Sequence, residues 1–440
     1  MLDIMSNPRY DAIVIGAGII GAAVGLELAR KGFKTLNVDK QPAAGYGSTG
    51  NSCAIIRTYY STIDGCAMAF EGYHYWRDWN EYIGSDDPAG MAKFIECGTL
   101  VMKTPHNHHL AAAMRMSNEL GIPFEEWDPV RLAERMPSWD LKSFAPIRAM
   151  DDPKFGTASE DALTGAVLWP KGGYVNDPQL ATQNIAHAAQ QAGGEFLYNA
   201  EIVEIRATVD GRIAGITLAD GSHIDAPVVV NVAGPHSARI NTLAGIEGTM
   251  KIGTRALRHE VPHVPTPPDF KQERFAMVTS DSDIGAYTRP ASGGQILIGS
   301  EDPPCDQRQW VDPDNFDRQL SDQARVQVMR CAQRLPTLGI PNRIGGVVDL
   351  YDVSDDWIPV YDKSDLGGFY LAIGTSGNQF KNAPVAGKLM AHLIESCENG
   401  HDHDEQPLSM HLDYLDRDID LGFYSRNRAV NKDSSFSVLG

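Results

Sequence analysis

The chain has 440 residues, too long for one small binding module and long enough for two or three domains. Its 38 Lys and Arg are outnumbered by 57 Asp and Glu, and the resulting charge of −19 surrounds it with a field that repels polyanions, which argues against nucleic acid as a partner. An apolar content of 42% excludes wholesale disorder and collagen.

The six cysteines, Cys53, Cys66, Cys97, Cys305, Cys331 and Cys397, are scattered without the C-x-x-C pairs of a zinc ribbon or redox loop, so a reducing cytoplasm is the expected setting. The opening residues MLDIMSNPRYD mix acids with apolar residues and lack a basic leader, and glycines at 16, 18, 21 and 25 break the apolar stretch that follows. Neither an export signal nor a membrane span is expected.

In chain order, Tyr10 to Ile15 reads as a strand, Gly18 to Lys31 as a helix ended by Arg30-Lys31-Gly32, and Lys34 to Asp39 as a second strand: a βαβ unit. Proline and polar residues interrupt any period between about 140 and 170 and again from 261 to 272, so both stretches are expected to be loops or crossings. Asp177-Pro178 supplies an N-cap and an N1 proline for a helix to Ala192. The dipeptides Asp210-Gly211 and Asp220-Gly221 have the spacing of a β-meander, and the strand Val228 to Ala233 follows. Residues 286 to 302 read as two strands paired around Ser292-Gly293-Gly294, and Phe316 to Arg334 as a helix. The acidic, then polar, stretch from Glu398 suits an arm that packs on a neighbour. No internal repeat is apparent.

The sharpest motif is Gly16-Ala17-Gly18-Ile19-Ile20-Gly21, between strand and helix. There the first glycine makes the turn, the second lets a pyrophosphate approach the backbone amides around Ile19 and Ile20, and the third lets helix and strand pack closely. Asp39, followed by Lys40, ends the next strand, where an acid binds ribose hydroxyls and would repel a 2′-phosphate. The motif alone leaves NAD and FAD open.

Four further blocks narrow the choice: Gly47-Ser-Thr-Gly-Asn-Ser-Cys-Ala-Ile-Ile-Arg57, Gly172-Gly-Tyr-Val-Asn-Asp-Pro178, Asn231-Val-Ala-Gly-Pro235 and Gly374-Thr-Ser-Gly-Asn-Gln-Phe-Lys-Asn-Ala-Pro-Val-Ala-Gly387. In this order the chain resembles the D-amino-acid oxidase-like flavoproteins over roughly residues 9 to 397, most of all the β subunits of heterotetrameric sarcosine oxidases and the dimethylglycine dehydrogenases. The last block suits a flavin on physical grounds too. Gly374 and Gly377 permit close approach to a flat ring, and the helix beginning at Ala383-Pro384 points its positive end that way.

The resemblance implies an α/β fold with an α+β part: a Rossmann-type FAD-binding domain (1–95, 156–250, 355–397) interleaved with an antiparallel-sheet substrate domain (96–155, 251–354), then a tail (398–440). It implies that FAD is contacted by Ser48, Thr49, Val203, Ala233, Gly234, Gly374, Gly377, Asn378, Gln379, Phe380 and Lys381, besides the glycine motif, Asp39 and Lys40. It also implies that a substrate carboxylate is held by Arg57 and Lys381, guanidinium and ammonium being suited to that task.

Two departures matter. Where monomeric sarcosine oxidases attach flavin through cysteine, this chain has Asp349, so FAD without a covalent bond is expected. Where they place a lysine that promotes reaction with oxygen, it has Leu297, which leaves direct use of oxygen open.

His259-Glu-Val-Pro-His263 matches the zinc-protease pattern H-E-x-x-H, but Pro262 prevents the helix that pattern needs, so no metal is expected. His259 could instead reach the flavin from an extended segment or be a structural histidine. Tyr287 and Tyr351 fall on strands expected to line the pocket, where a phenol could orient an amine or help remove its proton, although core tyrosines are commoner. His106, His108 and His109 are expected in an exposed turn.

The expected reaction is oxidation of the C–N bond of a small N-methylated, secondary or tertiary amino acid by hydride transfer to flavin N5, giving an imine that hydrolyses. A flavin-dependent 2-hydroxy-acid dehydrogenase, an NAD enzyme and a flavin-holding subunit of a larger homo- or hetero-oligomeric complex are the alternatives.

Overall fold

A computed structural model describes residues 9–105, 107–267 and 276–438; the residues 1–8, His106 and the part of the 261–272 stretch from 268 onward lie outside it. The βαβ unit forms as expected, with strands Ala12–Ile15 and Thr35–Val38 flanking helix Ile19–Arg30. Its strands belong to a six-stranded sheet, in the order Val360–Lys363, Phe369–Ile373, Val228–Asn231, Ala12–Ile15, Thr35–Val38, Glu195–Leu197, in which only the first is antiparallel to its neighbour.

Both faces of this sheet are covered, which explains the apolar runs of its strands Ala12–Ile15 and Phe369–Ile373. Ala12, Val14, Val228 and Val230 pack into one core with the helices Ile19–Arg30 and Ala383–Glu398, while Ile13, Ile15 and Val229 pack into another with the meander. The meander consists of Ile202–Ala207, Ile213–Leu218 and His223–Asp225, as the two Asp-Gly turns predict. Helix Pro178–Gln191 is capped by Asp177, whose carboxylate accepts from the Leu180 amide.

A larger, mostly antiparallel sheet runs Gln309–Trp310, Thr254–Pro265, Gln295–Ser300, Ala286–Ala291, Val278–Asp281, Thr99–Met102, Ala166–Trp169, Glu125–Trp127, with Gly345–Ser354 also paired to Thr254–Pro265. One face packs Val264, Ile296 and Ile298 against Val328 and Cys331 of helix Asp322–Arg334. The alternation of side chains turns His259 and Val261 the other way, over a cavity.

Three expectations need correction. The strand Thr254–Pro265 runs through the stretch read as a loop: Pro262 lies opposite Gly346 and Pro265 is its last residue, positions where a missing N–H is tolerated. Ala166–Trp169 is a buried strand inside the other presumed loop. The helix read from Phe316 begins only at Asp322, because Ser321 caps it and the preceding carbonyls of Asp317 and Gln319 are taken by Arg258.

The segment beyond Glu398 packs on its own chain. Strands Ser409–Leu412 and Arg417–Asp420 pair, and buried Arg426 bonds Asp362, Asp365 and Asp404. Among the described residues no helix is long and apolar enough to cross a membrane, and all six cysteines are free.

Candidate active site

One cavity of about 500 Å³ runs between the two sheets, from the glycine motif to Arg57 and Lys381. At the motif end Gly16 has φ +117, and a Cβ there would lie 2.4 Å from the Val232 carbonyl oxygen. A Cβ on Gly21 would lie 2.4 Å from the Gly16 oxygen, so helix and turn touch through backbone. Asn37, which the motif does not mark, fixes this geometry by donating to the carbonyls of Gly16 and Gly21 at 3.0 and 2.9 Å. Gly18 itself contributes no side-chain cap and the first turn holds no acid, so the positive helix end suits an anion.

Asp39 lines the cavity and is held by the amides of Ala17 and Gln41 at 2.7 and 2.8 Å. Lys40 also lines it but is engaged by Asp314 at 2.6 Å. Thr49 accepts from the Ile19 amide at 3.2 Å, while Ser48 and Asn51 donate to the carboxylate of Asp349 at 2.9 and 2.6 Å.

At the other end, the loop from Gly374 to Lys381 is pinned from behind. Asp352 accepts from the Gly374 amide at 2.6 Å, Tyr60 donates to the Asn378 carbonyl, and Trp76 donates to the Lys381 carbonyl at 2.8 Å. Gly377 has φ +68 and leaves no room for a Cβ, which would fall 2.5 Å from the Tyr351 ring. Burial raises the Asp352 carboxyl to about 7 against the pull of its backbone donors.

Arg57 and Lys381 both lie against the ring of Tyr60. The guanidinium carbon lies 4.2 Å and the ammonium nitrogen 4.6 Å from the Tyr60 centroid. Arg57 also donates to the carbonyls of Tyr59 and Val438, and Lys381 to that of Asn378. Burial first, and Arg57 second, depress the Lys381 ammonium well below its ordinary value. An arginine and a lysine lining one recess suit an anion, whose charge would favour the ammonium form of Lys381.

The family model for FAD-dependent oxidoreductases, DAO, matches residues 11–393. The chain belongs to the DAO family of FAD-dependent oxidoreductases. Among its family relatives it is 24% identical to a glycine oxidase of Geobacillus kaustophilus over 92% of this chain and 98% of the relative. It is 25% identical to a sarcosine oxidase subunit beta of Rhodobacter capsulatus over 88% and 85%. A structure of L-proline dehydrogenase from P. horikoshii superposes with TM-score 0.74 at 20% identity, covering 96% of this chain and 98% of that one.

The structure brings most of the expected residues of this DAO-family chain onto one surface. Gly16, Gly18, Ile19, Ile20, Gly21, Asp39, Lys40, Ser48, Thr49, Ala233, Gly234, Gly377, Asn378, Gln379, Phe380, Arg57, Lys381, His259, Tyr287 and Tyr351 all line the cavity. Two do not. Val203 points outward and is 45% exposed; its neighbour Ile202 faces the cavity, because side chains alternate along the strand. Gly374 lies behind the wall, where a Cβ would strike Ser354 at 2.9 Å.

The ring of His259 stacks on Tyr351 at 4.0 Å, 3.5 Å from Asp302, and its strand carries His263 roughly 13 Å further along, too far to share an ion. Burial lowers the basicity of His259. Burial also raises both phenols, Tyr287 and Tyr351, far above neutrality, so neither is a base near pH 7. Leu297 packs with Cys53 and Val261. His108 is exposed and His109 half-buried before helix Leu110–Glu119.

Sequence reading passed over Tyr59, Tyr60, Val438 and Glu301. Glu301 was within reach: it follows Leu297 and Gly299 at the two-residue period of the same strand, one position past the end assigned to it.

Proposed function

We propose that this chain oxidises the C–N bond of a small amino acid bearing a secondary or tertiary amine, with FAD bound non-covalently. The observation that carries this reading is the placement of Arg57 and Lys381, both against Tyr60, at one end of a cavity whose other end has the features of a dinucleotide cradle. The cradle fits FAD: backbone occupies the space that side chains at Gly16 and Gly21 would fill, and the helix starting after Gly18 carries no acid in its first turn.

In this reading the glycine motif and Asp39 would hold the pyrophosphate and ribose, and the 377–381 loop the ring. Asp349, already bonded to Ser48 and Asn51, offers no sulfur for a covalent link. Bound FAD supplies an acceptor for the two electrons that leave as hydride. The chain's own part is positioning: Arg57 and Lys381 grip the carboxylate, and the large sheet closes over the amine and keeps water out. The amine must be neutral for hydride to leave, so activity rises with pH through its titration.

The test is an anaerobic screen of N-methylated, cyclic and D-amino acids beside 2-hydroxy acids for flavin bleaching, followed by admission of air. Bleaching by hydroxy acids alone overturns the reading. The relative named as a sarcosine oxidase subunit supports assembly with other chains, and bleaching of the isolated chain would argue against a purely flavin-holding role.

A further inference from the structure

Five acids line the cavity: Asp39, Glu201, Glu301, Asp349 and Asp352. Asp39 sits at the dinucleotide cradle, Asp349 is bonded to Ser48 and Asn51, and Asp352 faces the backbone behind the Gly374 turn. Glu201 precedes the meander strand at the cradle end. Glu301 follows strand Gln295–Ser300, an interior strand of the large sheet, and lines the cavity together with Arg57 and Tyr59. Its side chain is oriented by the Ser280 hydroxyl, which donates to Oε1 at 2.6 Å, and its amide donates to the Gly285 carbonyl at 3.1 Å.

A carboxylate in the recess that holds two cations completes a zwitterion site: the cations take the acid end of an amino acid and the carboxylate its ammonium end. We infer that Glu301 accepts the proton of the substrate's ammonium. The N–H bond breaks, an O–H bond forms on the Glu301 carboxyl, and the electron pair stays on nitrogen, which can then expel hydride from the adjacent carbon. This inference rests on the amine reading above and adds the identity of the proton acceptor.

The surrounding charges suit the task. Burial raises the Glu301 carboxyl to about 7, the Ser280 hydroxyl and the Asp281 amide pull it down, the Asp281 charge pushes it up, and Arg57 draws it down again. Tyr59, also raised to about 12 by burial, and Tyr287 on the next strand stay protonated and do not compete for the proton. Asp281 is committed to Arg334 at 2.7 Å, and Asp302 lies beside His259. A base poised near neutrality is charged often enough to act and basic enough to receive the proton.

The test uses the FAD-loaded full chain with the N-methylated amino acid that bleaches it fastest, read as the limiting rate of flavin reduction against pH. Wild type should show a limb near pH 7. In Glu301→Gln that limb should move up to the titration of the amine itself, with a rate roughly 10²-fold lower at pH 7.5 that converges with wild type in alkali. Glu301→Asp, which keeps the charge, should retain the neutral limb at reduced rate.

A second readout needs no turnover. The probe 2-aminoisobutyrate has an ammonium but no α C–H, so its affinity should rise about tenfold from pH 6 to pH 8 in wild type, as Glu301 ionises to meet the ammonium, and stay flat in Glu301→Gln. An unmoved limb in Glu301→Gln, or the same pH dependence of binding in both proteins, overturns the inference. If no amino acid bleaches the wild-type flavin, the amine reading fails instead, and the binding profile still decides whether Glu301 meets an ammonium.

Discussion

The guanidinium of Arg57 donates to the backbone carbonyl of Val438 at 2.5 Å, so the proposed carboxylate anchor is tied to the far end of the described chain. Val438 packs with Leu257, Val353, Trp357 and Tyr351 and forms part of the cavity wall, and Arg308 holds the Phe436 carbonyl just before it at 2.7 Å. A substrate carboxylate arriving at Arg57 competes with that carbonyl. Ending the chain at Ser435 should therefore tighten binding of a simple carboxylate such as acetate by about tenfold or more, since a hydrogen bond to a charged group is worth about 1.5–3 kcal/mol. Flavin fluorescence or absorbance titration reads this, and weaker binding would show that the segment serves only as a wall.

The carboxylate clamp itself makes a divided prediction. Arg57→Ala should raise the KM for carboxylate substrates by about 30-fold or more while the bound flavin spectrum persists, as loss of a charge-assisted contact at a buried site costs about 2–5 kcal/mol. Lys381→Met should also raise KM, yet leave the fold at least as stable, because it removes a buried ammonium opposed by burial and by Arg57. A lysine depressed in the fold binds fewer protons folded than unfolded. Wild-type stability relative to Lys381→Met should thus climb as pH rises from the depressed value towards 10.5, as measured by denaturant titration.

The two raised carboxyls act in the opposite sense. Glu301 and Asp352, each raised to about 7, bind more protons folded than unfolded between their ordinary values and 7. Stability then falls as pH rises from about 4 to about 7, with the loss complete above it. Glu301→Gln and Asp352→Asn should each flatten part of that slope in thermal melts, and a slope unchanged in both would contradict their buried placement.

Backbone approach at the cradle leaves little latitude. Gly21→Ala would put a methyl carbon 2.4 Å from the Gly16 oxygen, and Gly377→Ala another 2.5 Å from the Tyr351 ring at φ +68. Each should cost about 1–3 kcal/mol in overpacking and strain, and the purified proteins should lose most of their FAD, read from the ratio of visible to ultraviolet absorbance.

Arg426 is the joint between the segment beyond Glu398 and the body, buried against Asp362 at 3.1 Å and Asp404 at 2.8 Å. Arg426→Met leaves the carboxylate of Asp362 buried without this partner, and should cost about 3–5 kcal/mol in chemical denaturation. The single change of Asp404→Asn at the half-exposed end should cost far less.

What the sequence determined by itself was local: the glycine motif between strand and helix, the Asp-Gly meander, the helix capped by Asp177, and the ordered blocks that carry the family. These are legible because turns, caps and close backbone approaches depend on residues a few positions apart. Strand Thr254–Pro265 was hidden by its prolines, since only pairing with Gly345–Ser354 reveals which of its amides are dispensable. Distance in sequence hid Val438, which reaches Arg57 from the far end of the described chain, while Glu301 and Tyr60 were legible only as neighbours of a strand and of Arg57, with nothing local to mark their part in the site. Tertiary packing also set their chemistry, because the burial that raises Glu301 and depresses Lys381 is a property of the assembled cavity and of no segment alone.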